Sequence, residues 1–343
     1  MKTSLRAMQG APIVGTGAHP PAPRSGRALG IALALAGAAL FSLKAVLVKL
    51  AYTQGGVEAG ELAPITVLFL RFGFSFPAYL LILVWSLRGG PPMERRTALE
   101  AFALGLLGYH LCAWLDFAGL LYITAQLERL ILFTYPAFVV VLGALFFGHR
   151  VSARGVAAIA LAYSGIGIVF AAGDIASGAN VALGSALVLG CAVLFAAFQL
   201  LAKGRIDRMG GVRFTCVAMM GATTGVMAHY LVQTYALGAG NPAGELPGAL
   251  VGIGVAIAVF STLLPSFFTN LALGRIGPQA VAVLAMIGPL VTIVAAVLVL
   301  GEPFSRIDAL GTAVTLSGIA LYTLSERSDA ARHRNTAPTA VTR

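Results

Sequence analysis

Apolar runs of about 20 residues, broken by glycine, proline or charge, follow one another along almost the whole chain. That is the length at which a helix crosses a hydrocarbon core roughly 30 Å thick. Ten segments are predicted, at about residues 29–52, 62–87, 98–121, 125–147, 154–172, 180–202, 214–236, 247–272, 278–300 and 307–325. The alternation expected of barrel strands is absent, so the pattern predicts an all-α integral membrane protein. Connections at about 122–124 and 148–153 are short enough to force antiparallel neighbours. Residues 1–28 and 326–343 are polar, with Pro20, Pro21 and Pro23 in the first stretch, and are predicted to be disordered cytoplasmic tails. The amino-terminal tail lacks the apolar centre and cleavage pattern of a secretory signal.

Composition agrees: 58% of the 343 residues are hydrophobic and 10% charged, with mean hydropathy +0.89, whereas soluble domains carry about 25% charged residues. The formal charge of +10 is spread over short loops without interleaved aromatics, which argues against a nucleic-acid partner. Laid on ten spans, 18 of the 23 lysines and arginines fall on the side of the amino terminus, and only Arg306 falls opposite. The positive-inside rule then predicts both termini in the cytoplasm and an even number of spans, in the inner (cytoplasmic) membrane. Cys112, Cys191 and Cys216 lie within apolar runs, the five histidines are scattered, and no glycine-rich phosphate loop occurs. Neither a metal nor another cofactor is expected.

The chain resembles itself at an offset of 153 residues. Gln126 then meets Gln279, Pro136 meets Pro289, Gly148 meets Gly301, Ser152 meets Ser305, and Ser164-Gly165-Ile166 meets Ser317-Gly318-Ile319. Two five-helix repeats are predicted, at 29–172 and 180–325. Because five is odd, the second inserts upside down, the arrangement in which many secondary carriers bind substrate near the midplane between repeats.

The stretches FSLKAVLVKLAY (41–52), LRFGFSFPAYL (70–80) and LDFAGLLYITAQLERLILFTYP (115–136), with GHRVS (148–152) and GEPFS (301–305), resemble the EamA-type branch of the drug/metabolite transporter superfamily. The resemblance covers about residues 29–325. It implies a ten-helix, inverted five-plus-five carrier of small metabolites, usually associated with export. One departure is His149, where the family commonly has an acid, which Glu302 keeps in the second half.

Ionisable groups inside spans carry most of the functional signal, because each costs about 2.5–3.5 kcal/mol near the bilayer centre unless paired or wet. Lys44, Arg71, Asp116, Glu128 and Arg129 all map to the outer half of the first repeat. Their counterparts 153 residues on are Ala197, Thr224, Thr269, Val281 and Ala282. That asymmetry marks the five as substrate-binding or gating residues, with a salt-bridged structural lock as the alternative. Glu128 is expected to pair with Lys44 or Arg71, and Arg129 with a headgroup or Asp116. Lys49 lies near enough to the outer surface to snorkel. His110, Trp114, Gln126, Asn270 and Gln279 are secondary cavity candidates. Pro136 and Pro289 are expected to bend their helices, as are Pro77 and Pro265. Gly221/Gly225 and Gly248/Gly252 have the spacing of close helix contacts.

The function expected is therefore secondary transport of a small polar or amphipathic metabolite, with Asp116 or Glu128 available to carry a proton in exchange. A membrane-embedded sensor or scaffold would need a sizeable soluble region. An embedded enzyme would need a nucleophile with its base, or a metal cluster.

Overall fold

The computed structural model describes residues 24–57, 61–88, 92–147, 153–172 and 180–336, and these contain helices and connections but no strand. The first half runs α1 (Arg24–Ser42), α2 (Lys44–Gln54), α3 (Pro64–Arg88), α4 (Arg95–Gly105), α5 (Cys112–Gly119), α6 (Ala125–Leu132), α7 (Tyr135–Phe147) and α8 (Ala153–Ala172). The second runs α9 (Val181–Met209), α10 (Gly211–Leu231), α11 (Gly248–Ala258), α12 (Leu264–Leu284), α13 (Gly288–Ala295) and α14 (Arg306–Thr336). Seven helical stretches, from Arg27–Gln54 to Gly248–Thr269, are long and apolar enough to cross a bilayer, and Ala153–Val169 and Gly288–Leu300 are shorter apolar helices. Helix is what lipid allows, since each backbone donor is satisfied within its own segment.

Several spans are less regular than the apolar pattern implies. The first breaks at Leu43, between α1 and α2. Wider π turns interrupt others at Leu106–Leu111, Val232–Ala236, Val259–Leu263 and Ala296–Leu300. The first and third of these occupy corresponding places at the 153-residue offset. Such turns often accompany functional sites. At the far end α14 continues to Thr336, past residue 325, where the sequence pattern ends it. The segment SERSDAARHRN supplies good helix formers even though it is too polar for lipid. The rest of the predicted tails, residues 1–23 and 337–343, lies outside the described residues.

The prolines stand beside the irregular turns. Pro136 and Pro265 lie within the spanning stretches Ala125–Phe146 and Gly248–Thr269, next to the turn at 133–134 and the π turn at Val259–Leu263. Pro289 is the second residue of α13. Pro77 sits inside α3.

Glycines set how closely the halves approach. A Cβ on Gly165 would run into Thr315 and Gly311, and one on Gly318 into Ala162 and Ala158. Each contact is the other displaced by 153 residues. Gly37 against Phe268 and Gly190 against Leu115 form a second reciprocal pair, at 3.3 and 3.7 Å. Gly221 and Gly225 also meet a neighbour, at Phe102 on α4 and at Leu106 and His110. Gly248 and Gly252 have open space where a Cβ would go, so the contact expected of that pair is not formed.

α12 contains a reversal. Gly30 lies against Arg275 and Ile276, and Gly37 against Pro265 and Thr269, so α1 and α12 start out antiparallel. Yet the Thr292 hydroxyl donates to the Ser42 carbonyl at 2.9 Å. A straight helix from 269 to 292 would carry the chain roughly 35 Å, whereas Gly37 and Ser42 are about 7.5 Å apart. The chain must therefore double back before α13.

The reciprocal glycine contact yields a test. Gly165→Ala or Gly318→Ala should each lower stability by about 1–3 kcal/mol, because backbone faces the new methyl. Gly167→Ala, where nothing lies within 4 Å, should melt like the unaltered protein in detergent.

Candidate functional site

The break at Leu43 creates the site. The Ser42 hydroxyl bonds back to the Ala38 carbonyl at 2.6 Å, a geometry that bends helices. The Phe41 and Ser42 carbonyls then turn away from the helical ladder and accept from Arg129 Nη2 at 3.5 and 3.2 Å. Arg129 Nε donates to Thr292 Oγ1 at 3.1 Å, and that hydroxyl donates onward to Ser42. The guanidinium lies 5.8 Å from the ring centres of both Phe41 and Phe133. Arg129 is thus spent on holding a broken helix to α13, and it reaches neither a headgroup nor Asp116.

Lys44 is the first residue of α2, immediately after the break. Its Nζ donates to Asp116 Oδ2 and, at 3.1 Å, to Glu128 Oε1. Asp116 belongs to the last turns of α5 and Glu128 to the first turn of α6, so the tight connection at 120–124 brings both carboxylates to one ammonium. Glu128 Oε2 is 3.9 Å from Arg129 Nε. Lys44, Asp116, Glu128 and Arg129 are 4%, 2%, 0% and 1% exposed, and together they are formally neutral. Neutrality allows ionised groups to stay where hydrocarbon surrounds them, since an unpaired one would cost several kcal/mol. Asp116 Oδ1 and Glu128 Oε2 are buried without a hydrogen-bond donor among the described residues, the latter with only the longer ion pair to Arg129.

The amino end of α6 is capped twice. Thr124 Oγ1 accepts from the Leu127 amide at 3.2 Å. Glu302 reaches across from the loop before α14 and accepts from the Ala125 and Gln126 amides at 2.8 and 3.3 Å. A carboxylate there satisfies orphaned donors and complements the positive end of the helix. Gln126 Nε2 donates to the Pro303 carbonyl at 3.2 Å, so this end of Gln126 serves the junction. Lys49 is half buried and within electrostatic reach of Glu302, which adds a partner to the snorkelling expected of it.

Arg71 stands apart on α3. It pairs with neither Glu128 nor any other carboxylate among the described residues; its Nε donates to Thr262 Oγ1 at 2.9 Å. Thr262 lies in the π turn before α12 and bonds back to Ile257 at 3.2 Å. His110 lies in the matching turn before α5, with Nε2 at 3.2 Å from His229 Nδ1. Trp114 packs against His229 at 5.7 Å between ring centres. This makes His110 a paired histidine within a helix contact. The side chains of Pro136, Asn270 and Gln279 lie outside the described residues. Among the described residues no three His, Cys, Asp or Glu side chains gather as a metal site.

Sequence reasoning located five of the six buried charges among the described residues but missed Asp308, Ser42, Thr262 and Thr292. The two threonines are lone hydroxyls in apolar runs, a signal too common to select them. They share one feature: both second-half threonines hydrogen-bond a first-half arginine.

Helices of spanning length around a sealed, charge-balanced cluster define a multi-pass membrane transporter, and comparison with known proteins supports that class. The sequence profile of the EamA-like transporter family matches residues 28–171 and again residues 182–324. The chain belongs to this family, within the drug/metabolite transporter superfamily. It is 26% identical over 285 residues to the uncharacterized transporter YcbK of Bacillus subtilis (strain 168), covering 83% of this chain and 89% of that one. An uncharacterized transporter of Archaeoglobus fulgidus is 25% identical over 273 residues, covering 79% of this chain and 92% of that one. One solved crystal structure, 17% identical, superposes with a TM-score of 0.57 over 88% of this chain and 99% of its own, and shows the likeness of fold alone. Family and relatives point to a transporter rather than an enzyme.

If charge balance holds the quartet together, single changes should hurt more than paired ones. Lys44→Met leaves two buried carboxylates to one arginine and should cost about 3–5 kcal/mol. Lys44→Met combined with Glu128→Gln restores neutrality and should recover at least about 1 kcal/mol relative to the sum of the two, measured as a double-mutant cycle of melting. Strict additivity would show that the pair does not interact.

Proposed function

We propose that the protein is a secondary active carrier that exports a small polar or amphipathic metabolite across the cytoplasmic membrane by alternating access. In this reading ten spans form two inverted five-helix repeats with both termini in the cytoplasm. The observation that carries it is the Lys44–Asp116–Glu128 ion cluster, sealed from solvent and confined to one half of the chain. Reciprocal glycine contacts at the 153-residue offset support the inverted relation, because each half presents the same surface to the other.

The energetics of the seam favour motion between halves. Within the first half, Lys44 is held by two ionic hydrogen bonds. Between halves, Arg129 and Arg71 meet neutral threonine hydroxyls, and hydrogen bonds to a charged group contribute about 1.5–3 kcal/mol each. A rocking step can exchange two such bonds without separating the ion cluster. The cluster then moves as a unit and closes the outer path.

Proton exchange fits the same geometry. A proton taken up on Asp116 Oδ1, which has no hydrogen-bond donor among the described residues, removes one negative charge, loosens the hold on Lys44 and leaves the cluster with one positive charge. Return of that proton on the other side resets it. Asp116 is thus the proposed proton carrier, and Glu128, fully buried between Lys44 and Arg129, the fixed counter-ion.

The test has two stages. Comparing metabolites excreted by cells with and without the protein nominates substrates, and the purified protein in proteoliposomes is then assayed for flux of each. An imposed pH gradient should accelerate flux at least about tenfold, the scale of 1.4 kcal/mol of driving force. Asp116→Asn should retain gradient-independent exchange and lose the acceleration. Wild-type flux that ignores the gradient would remove proton coupling, and no flux of any nominated compound would remove the carrier reading.

A further inference from the structure

Arg71 is a buried cation without a counter-ion. It is 9% exposed, and only its Nε is used, by Thr262 at 2.9 Å. A guanidinium carries five N–H donors in a planar fork, so the four on Nη1 and Nη2 have no acceptor among the described residues. The quartet around Lys44 is already neutral and offers no spare charge, although Asp116 is near enough to be felt electrostatically. Whatever compensates Arg71 must therefore be brought in.

The surroundings indicate what that is. The guanidinium carbon lies 5.4 Å from the ring centre of Phe72 and 5.6 Å from that of Phe117. Tyr79 and Tyr109 are also within its electrostatic reach. The Tyr79 hydroxyl shares a hydrogen bond with Ser266 at 3.1 Å, one turn beyond Thr262. Bonding of Nε to Thr262 leaves free the edge with the two terminal nitrogens, which matches the two oxygens of a carboxylate. One positive charge balances a monoanion, whereas a doubly charged phosphate would leave net negative charge in a largely buried, aromatic setting. Phe72 and Phe117 are themselves buried beside the guanidinium, so whatever accompanies an anionic group at this arginine enters aromatic surroundings, which suit an apolar body better than a polar one.

We propose that Arg71 is the substrate anchor and that the carried metabolite is a monoanionic carboxylate with an apolar body, gripped bidentately by the free guanidinium edge. This rests on the carrier reading above and names its substrate class. Thr262 positions the fork, so the anchor on α3 is coupled through one hydroxyl to the second half. Arrival of a carboxylate neutralises Arg71 and lowers the cost of enclosing it, which gives substrate binding a direct hold on closure.

The full-length protein, purified in detergent, is melted with acetate, benzoate and phenylacetate as carboxylate probes, inorganic phosphate as the competing oxyanion and benzylamine as a cation of similar body. Benzoate and phenylacetate are expected to raise the melting temperature, acetate less so, and phosphate and benzylamine not at all. Arg71→Met should abolish the response, and Arg71→Lys, which keeps the charge but loses the fork, should weaken half-saturation at least about tenfold. Without ligand, Arg71→Met should melt no lower than the unaltered protein, because it removes an uncompensated buried charge. An Arg71→Met protein that melts lower or fails to fold would assign the arginine a structural role and overturn the proposal. So would a wild-type protein that responds to no carboxylate, or that responds equally to phosphate or benzylamine. Arg71-dependent carboxylate binding by a protein that transports nothing would overturn the carrier reading alone. Gradient-driven flux unchanged by Arg71→Met would overturn this assignment alone.

Discussion

A lysine ammonium in a hydrocarbon slab is tolerable only if opposite charge surrounds it, and the junction of α2, α5 and α6 is arranged around that requirement for Lys44. Two carboxylates must come from different helices, so α5 and α6 must be joined by a turn tight enough to set Asp116 beside Glu128. Glu128 needs its own compensation, which Arg129 supplies at 3.9 Å. Arg129 in turn needs acceptors, and the break at Leu43 provides them by freeing the Phe41 and Ser42 carbonyls. Each feature pays for the next, and removing any one leaves a charge or a carbonyl without a partner where water cannot replace it.

The same chain of dependence divides the molecule unequally. The ionic partners of the buried quartet all lie in the first half, while the second contributes hydroxyls and a cap: Thr292 to Arg129, Thr262 to Arg71, and Glu302 to the amino end of α6; one partly exposed ion pair, Arg205 to Glu100 at 2.8 Å, does cross between the halves. The buried ion pairs are thus internal to one half, and neutral hydroxyls, one carboxylate cap and one partly exposed ion pair cross the seam. Glycines keep the crossing close, since backbone faces backbone where α8 meets α14. A seam of small residues and single neutral acceptors slides at lower cost than one built of salt bridges, as the proposed alternating access requires.

The two matching π turns give that seam its irregular places. A wider turn leaves a carbonyl and a side chain out of helical register. In one copy the displaced residues bring Thr262 to Arg71, and in the other they bring His110 to His229. Duplicated geometry has been given different chemistry, so symmetry of backbone does not extend to symmetry of site.

The sequence by itself determined a great deal. Apolar runs of spanning length specified an all-helical membrane protein, because in lipid hydropathy nearly dictates secondary structure. Five of the six buried charges were legible for the same reason, since an ionisable residue in an apolar run must have a purpose; Asp308 was not, because it stands at the polar start of α14. What only the tertiary structure decided was who partners whom. Lys44 and Glu128 are 84 positions apart and Arg129 and Thr292 are 163 apart, and no local pattern encodes such pairings. Nor did the sequence reveal the break at Leu43, where no proline or glycine stands, because it exists only through acceptors that Arg129 and Thr292 engage from other helices. The pattern of charges told us that one positive charge was in excess; the fold decided that the excess resides on Arg71, since the other four groups balance one another at contact distance.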